Sequence, residues 1–235
     1  AQAYVTAEYD DASPAADAAG SAAASPLLPS AVEIDRPRPA GPVRAGVLLE
    51  GTASGVAERA ARMAALLGQD AEVSQSAPEW WAQRGEASGS PRGTLIRIAF
   101  WGAELRRVLD TIDTVAGDAR VAPAVGGSAG AGVLYACLDG SADADQTALF
   151  VRALRTALGH ASTPGTAPDG PGAAGSPAGE GGPPRGSVVV LAAPPPVQAR
   201  VDMWGPVPAL ALMRAVKGQF DPGNRMAPGR FAGGI

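Results

Sequence analysis

In the first third of the chain, short segments of alternating apolar and polar residues are separated by longer segments with a helical apolar period. The alternation predicts strands over residues 3–6, 31–35, 43–50 and 72–75. A weak helix is predicted over residues 15–24, where Gly20 and Ser21 lower the helix propensity. A stronger helix begins at Thr52 or Ser54, both suitable caps, and ends at Gly68.

The same order of elements is predicted again further along the chain. Strands are expected over residues 95–101, 120–125, 132–138 and 187–192. One helix covers residues 104–116 and stops at Gly117, and a second is capped by Ser141 and ends at Gly159. Gly126-Gly127-Ser128 is read as the turn that leads into the third of these strands.

Both halves therefore follow the order βαββαβ, which is typical of ferredoxin-like units. The predicted fold is α+β, with two such units whose antiparallel sheet is covered by helices on one face, followed by a C-terminal helix and tail. We expect the first unit at residues 1–76, a connector at 77–93 and the second unit at 94–193. Residues 161–185 contain seven Gly and six Pro and are predicted to be a disordered insert.

Residues 194–235 form the predicted C-terminal helix and tail. Leu210, Met213, Val216 and Phe220 recur at helical spacing, which indicates one apolar face. The helix is expected to start near Pro206 or Pro208 and to end before Pro222. We predict that it packs back along the domain.

Composition and charge exclude several classes of partner. The chain carries 19 basic and 23 acidic residues, a net charge of −4, and lacks a basic run, so we expect no binding to nucleic acid. It has no apolar run of the ~18 residues needed for a transmembrane segment. The single cysteine, Cys137, fits a reducing compartment, and we expect a cytoplasmic location. No cluster of His, Cys, Asp and Glu has ligand spacing, so no metal site is predicted.

Strand alternation points to a possible site on the face of the sheet that the helices leave open. Apolar residues at alternate positions of each strand point to the helix-covered face, so the residues between them point to the open face. That set contains Arg44, Glu50, Arg97, Trp101 and Tyr135. Arg97, Glu50 and Tyr135 are the candidate substrate-facing residues, and an ordinary solvated face is the alternative.

The last residues carry the most specific pattern. Lys217, Phe220, Asp221 and Pro222 are followed by Pro228-Gly229-Arg230. This stretch resembles the C-terminus of FAD-linked oxidases of the vanillyl-alcohol oxidase type, although Ala227 replaces the usual Asn. Residues 29–35 and 48–52, PSAVEID and LLEGT, are most similar to the FAD-binding subunits of bacterial glycolate oxidases.

This resemblance implies the cap domain of an FAD-dependent oxidoreductase that acts on a 2-hydroxy acid such as glycolate. It implies FAD bound mainly by a flavin-binding domain of the same parent protein that precedes this sequence, so the chain alone is expected to be inactive. It also implies a second flavoprotein subunit and an iron–sulfur subunit, through which the protein could lie at the inner membrane face. Arg97 would hold the substrate carboxylate. Arg230 and Trp204 are the candidate cofactor contacts; the alternatives are a surface or interdomain salt bridge for Arg230 and an apolar anchor for Trp204. No base is evident, since the one histidine, His160, is poorly placed.

Two other functions stay open. A non-enzymatic ferredoxin-like module for binding or assembly is the main alternative. Gly126, Ser128 and Gly130 also match the G-x-S-x-G pattern of serine hydrolases. That motif needs a strand before the serine and a helix after it, whereas a strand is predicted after Ser128, so we favour a hairpin turn.

Overall fold

The computed structural model describes residues 1–39, 41–82, 93–159, 186–207 and 209–235. Its centre is one antiparallel sheet of eight strands in the order β4-β1-β3-β2-β6-β7-β5-β8. The first four strands are β1 (Gln2–Tyr9), β2 (Ala31–Arg36), β3 (Val43–Glu50) and β4 (Glu72–Ser74). The second four are β5 (Thr94–Phe100), β6 (Ala124–Ser128), β7 (Val133–Leu138) and β8 (Gly186–Ala192).

The sheet consists of two ferredoxin-like halves. The first half contains the helices α1 (Ala12–Ala23) and α2 (Ala53–Leu67), and the second contains α3 (Leu105–Ala119) and α4 (Ala144–Ala157). In each half the strand order follows the same βαββαβ connection, which confirms the predicted α+β fold. The halves join through β2 and β6, with Glu33 opposite Ser128 and Arg36 opposite Val125.

All four of these helices pack on one face of the sheet, where alternate strand residues meet the apolar helix stripes. Val5, Val47 and Ile98 contribute fully buried side chains from the strands. Met63, Ile112 and Phe150 contribute them from the helices. One cluster runs through both halves, so the helix-covered face forms a single core.

The helix boundaries agree with the sequence in α2 and differ in α3 and α4. In α2 the Thr52 hydroxyl accepts a hydrogen bond from Gly55 N at 3.4 Å, and Gly68 ends the helix at φ 131°. The predicted stop at Gly117 is wrong, because α3 continues to Ala119, whose side chain is buried, and Arg120 ends it at φ 56°.

Asp143, not Ser141, caps α4. The Asp143 carboxylate accepts hydrogen bonds from Asp145 N at 3.0 Å and Gln146 N at 2.9 Å, and therefore satisfies two free amides of the first turn. Ser141 lies before the helix, where its own amide donates to the Asp139 carboxylate.

The predicted turn at Gly126-Gly127-Ser128 is also wrong, since these residues form the end of β6. The strand predicted over residues 120–125 is therefore placed too early, since β6 covers Ala124–Ser128. Gly127 adopts φ 146°, and a Cβ there would lie 2.5 Å from Val133 O, so the glycine permits close strand pairing. The turn between β6 and β7 comes at residues 129–132 instead.

After β8 the chain forms a short helix, α5 (Pro195–Gln198), and then α6 (Leu210–Phe220). None of the residues of α6 is buried, and Leu212, Val216 and Phe220 are exposed. The tail folds back on the start of α6: Arg214 Nη2 donates to Gly233 O at 3.1 Å, and the Trp204 and Phe231 rings lie 5.2 Å apart. The expected packing of an apolar face along the domain is therefore not seen in the described residues.

Two sequence predictions fall outside the described residues. They are the disordered insert over residues 161–185 and the position of His160. Among the described residues, no helix is long and apolar enough to cross a membrane.

Candidate functional site

The face opposite the helices carries a row of polar residues that crosses six neighbouring strands. Strand register places Arg97 opposite Tyr135, and Tyr135 opposite Gly126. The row continues through Asp35 and Arg44 to Glu8 on β1. Neighbouring strands lie ~4.8 Å apart, so side chains of adjacent members can interact.

Two tryptophans of the connector after β4 cover part of this face over the first half. Trp80 and Trp81 lie on Gly46, where a Cβ would come within 2.7 Å of Trp80 and 2.8 Å of Trp81. The Trp81 ring meets Tyr4 edge to face, with centroids 5.0 Å apart. The aromatic cluster therefore covers this face around Gly46 and Tyr4 in the first half.

A pocket of about 270 Å³ lies next to this cluster, on the boundary between the two halves. Its floor is formed by β6 and β7, and its ends by β2, β5 and the connector. The lining residues are Glu33, Ala82, Arg97, Gly127, Ser128, Val133 and Tyr135. The pocket thus combines a guanidinium, a carboxyl group, a phenol and an aliphatic hydroxyl, a set suited to a small polar acid.

The two carboxyl groups of β2 on this face differ in their partners. Burial raises the pKa of Glu33, while a hydrogen bond with the Ser128 hydroxyl opposes the rise. Burial also raises the pKa of Asp35, and the charge of Arg44 opposes it. Arg44 Nη1 lies 3.3 Å from the Asp35 carboxylate and its Nε lies 3.4 Å from that of Glu8. Asp35 therefore belongs to an ion-pair network, whereas Glu33 faces the pocket.

The structure brings together two of the three predicted substrate-facing residues. Arg97 and Tyr135 are neighbours across β5 and β7, and both line the pocket. Glu50 does not line it. Glu50 lies at the far end of β3, opposite Gln2, ~19 Å across the sheet and ~20 Å along the strands from Arg97 by standard strand spacing.

The two predicted cofactor contacts lie elsewhere. Trp204 packs on Phe231, and the adjacent Gly205 lies against the Arg155 side chain of α4. Arg155 donates to Val188 O at 3.1 Å and to Met203 O at 3.3 Å, which ties this segment to the outer edge of β8. Arg230 is exposed in the tail. Neither Trp204 nor Arg230 lines the pocket.

Sequence reasoning missed Glu33 and Ser128 as pocket residues. The signal for Glu33 was present, because Val32 and Ile34 alternate around it and point to the core. Ser128 was not predicted to line a site because it was assigned to a turn. Its hydroxyl donates to Val32 O at 3.5 Å and accepts from Ala131 N at 3.3 Å, and a strand follows it, which does not fit a nucleophile elbow.

Outside the pocket, the single cysteine, Cys137, is buried. No group of three or more His, Cys, Asp or Glu residues could hold a metal ion in the part of the chain that the structure describes. No protein-family model matches the sequence, and a comparison with curated proteins finds no match.

Proposed function

We propose that the chain is the substrate-facing cap portion of an FAD-dependent oxidoreductase that acts on a 2-hydroxy acid such as glycolate. The observation that supports it best is the pocket on the open face, with Arg97 and Tyr135 side by side at one end. A guanidinium can grip a carboxylate with two parallel hydrogen bonds, and a phenol beside it can add a third.

The open face also suits a wall against a second domain. It carries polar side chains and the concave pocket described above, while the opposite face is covered by helices. We propose that FAD is held mainly by a flavin-binding domain outside this sequence and, when bound, supplies the acceptor for the substrate hydride. The residues of this chain would orient the substrate by its carboxylate and keep bulk water from its open side.

The same proposal includes partners. By resemblance, a second flavoprotein subunit and an iron–sulfur subunit would carry the electrons onward. A cytoplasmic protein at the inner membrane face, attached through those partners, would be consistent with that role.

The test uses two proteins: the 235-residue chain, and an extended protein, which is the product of the whole reading frame that encodes the chain. We expect the extended protein to bind FAD and to lose its oxidised flavin absorbance when glycolate is added without oxygen. Arg97→Met should keep the FAD and lose the bleaching, because the carboxylate contact is removed. Stoichiometric FAD on the short chain would contradict the proposed domain arrangement. Failure of every 2-hydroxy acid to bleach the flavin would contradict the activity.

A non-enzymatic assembly module is the second candidate, and the exposed side of α6 favours it. Leu212, Val216 and Phe220 expose 66, 49 and 79% of their surface, and Met226 in the tail exposes 69%. Contiguous exposed apolar residues often mark protein contacts. If replacing Leu212 and Phe220 by serine abolished an assembly of the chain while Arg97→Met changed no function, this second candidate would be preferred.

A further inference from the structure

The pocket has two charged ends that lie on different halves of the sheet. Arg97 enters from β5 and Glu33 from β2, with β6 and β7 between them. Three strand spacings, ~14 Å, and two residues along the strands, ~7 Å, separate the two backbones, so they lie ~16 Å apart at standard spacing. Both side chains line the same volume of about 270 Å³, which places them on one candidate ligand site.

Glu33 differs from the acidic residues around it because it has no ion pair with any residue that the structure describes. Arg44 on the neighbouring strand β3 pairs with Asp35 and Glu8. The Ser128 hydroxyl forms a hydrogen bond with Glu33 and is also within reach of Val32 O and Ala131 N, so it can satisfy only one acceptor site of the Glu33 carboxylate. A half-buried carboxylate in such surroundings retains acceptor capacity for a ligand.

We propose that Glu33 recognises the hydroxyl group of the ligand: its carboxylate accepts the hydrogen bond of the C2 hydroxyl of a small 2-hydroxy acid whose carboxylate lies on Arg97. This assignment rests on the proposed function and adds a residue that selects hydroxy acids over acids without the hydroxyl. The residue that distinguishes hydroxy acids from acids without the hydroxyl therefore lies on β2, and the residue that binds the carboxylate lies in the other half of the sheet.

The geometry distinguishes three related ligands. Acetate offers the carboxylate to Arg97 but no donor to Glu33. Glycolate offers both contacts. Glycine offers a donor as an ammonium, which the Glu33 carboxylate attracts but which costs more to desolvate than a hydroxyl, so glycine is the competing ligand in the binding experiment.

The experiment measures binding of glycolate, acetate and glycine to the purified 235-residue chain, by calorimetry and by the fluorescence of Trp80 and Trp81 beside the pocket. We expect glycolate to bind about tenfold more tightly than acetate, which corresponds to one hydrogen bond to a charged group. Glu33→Gln should reduce this ratio to within about threefold, and Glu33→Leu, which has no acceptor, should abolish it. Acetate should bind both variants at least as well as the parent chain.

Glu50→Gln is the matched control, since Glu50 lies on the same face outside the pocket and its replacement should leave the ratio unchanged. The assignment is overturned if the Glu33 variants keep the parent ratio, if Glu50→Gln changes it equally, if glycine binds more tightly than glycolate, or if the chain binds neither acid. These outcomes are distinct from failure of the proposed function. Glycolate binding that depends on Glu33, without flavin reduction in the extended protein, would refute the oxidoreductase and leave the binding assignment standing.

Discussion

The two faces of the sheet are built by the same strands and have opposite roles. Ile96 and Ile98 point to the helices and are fully buried, whereas Arg97 between them points to the pocket. On β2, Val32 and Ile34 belong to the core, and Glu33 belongs to the pocket. One face is therefore expected to determine stability and the other to determine binding, with adjacent residues assigned to different roles.

The largest expected effect separates two neighbours on β5. Ile98→Ala should lower the free energy of unfolding by about 2–5 kcal/mol, because it leaves a cavity in the core. Arg97→Met should change it by no more than about 0.5 kcal/mol and should abolish glycolate binding. Urea unfolding checks the first part and calorimetry the second. Equal destabilisation by the two substitutions would show that the faces are not separable.

A second prediction concerns the tryptophans that cover the open face over the first half. Gly46→Ala should lower the free energy of unfolding by about 1–3 kcal/mol, since its Cβ would overlap both indole rings. The emission of Trp80 and Trp81 should shift to longer wavelength as they move into water. Gly117→Ala is the control: nothing lies within 4 Å of a Cβ there, and the change should stabilise α3 by about 0.5–1 kcal/mol. Unchanged emission in Gly46→Ala would contradict the contact.

A third prediction uses the raised pKa of Glu33. Folding disfavours its ionised form, so the parent chain loses stability as pH rises from the ordinary glutamate pKa through the raised one. Glu33→Gln does not titrate and should be the more stable protein at neutral pH, with the difference vanishing in acid. The parent chain and Glu33→Gln share the other charged and phenolic side chains of this face, which are Asp35, Arg44, Tyr135 and Arg97.

Unfolding of the two proteins in urea at neutral pH and near pH 4 checks this prediction. Glu50→Gln, at an exposed position outside the pocket, is measured in parallel as the control variant. A parent chain that is more stable than Glu33→Gln at neutral pH would contradict the desolvation of Glu33.

The smallest expected effect is in the tail. The Asp221 carboxylate accepts hydrogen bonds from Lys217 Nζ, Arg225 N and Met226 N, at 2.6, 2.8 and 2.9 Å, which lower its pKa to about 2. The ionised Asp221 carboxylate therefore holds the tail in place at pH values above the ordinary aspartate pKa, and this effect is lost as the pH falls through about 2. Asp221→Asn should speed hydrogen exchange at the Arg225 and Met226 amides without changing global unfolding. A change in global unfolding would show that the tail is part of the core.

Much of the fold follows from local patterns. Alternation placed the strands, one-sided apolar stripes placed α2 and α3, and a capping pattern placed α4, because burial of one face imposes the strand and helix periods. The first helix, α1, was predicted only weakly. The errors occurred where tertiary contacts override local preference. Gly117 stays helical because Ala116 before it and Ala119 after it are buried, and Gly126 to Ser128 pair as a strand between two neighbours.

The site was less predictable than the fold. Arg97 and Tyr135 followed from alternation alone, since both occupy polar positions on neighbouring strands. Glu33 reaches the same pocket only because β2 of one half pairs with β6 of the other, and no local pattern specifies that pairing. Glu50 shares their face but lies at the far end of β3, a displacement along the strand that alternation cannot show.

The most direct test of the central claim is an NMR titration of the labelled 235-residue chain with glycolate. The binding face is predicted to respond: shifts should concentrate at the amides of Gly127, Ser128, Val133 and Tyr135, and should disappear in Arg97→Met. Shifts confined to the helix-covered face or to α6, or the same shifts in Arg97→Met, would contradict the assignment of the pocket as the substrate site.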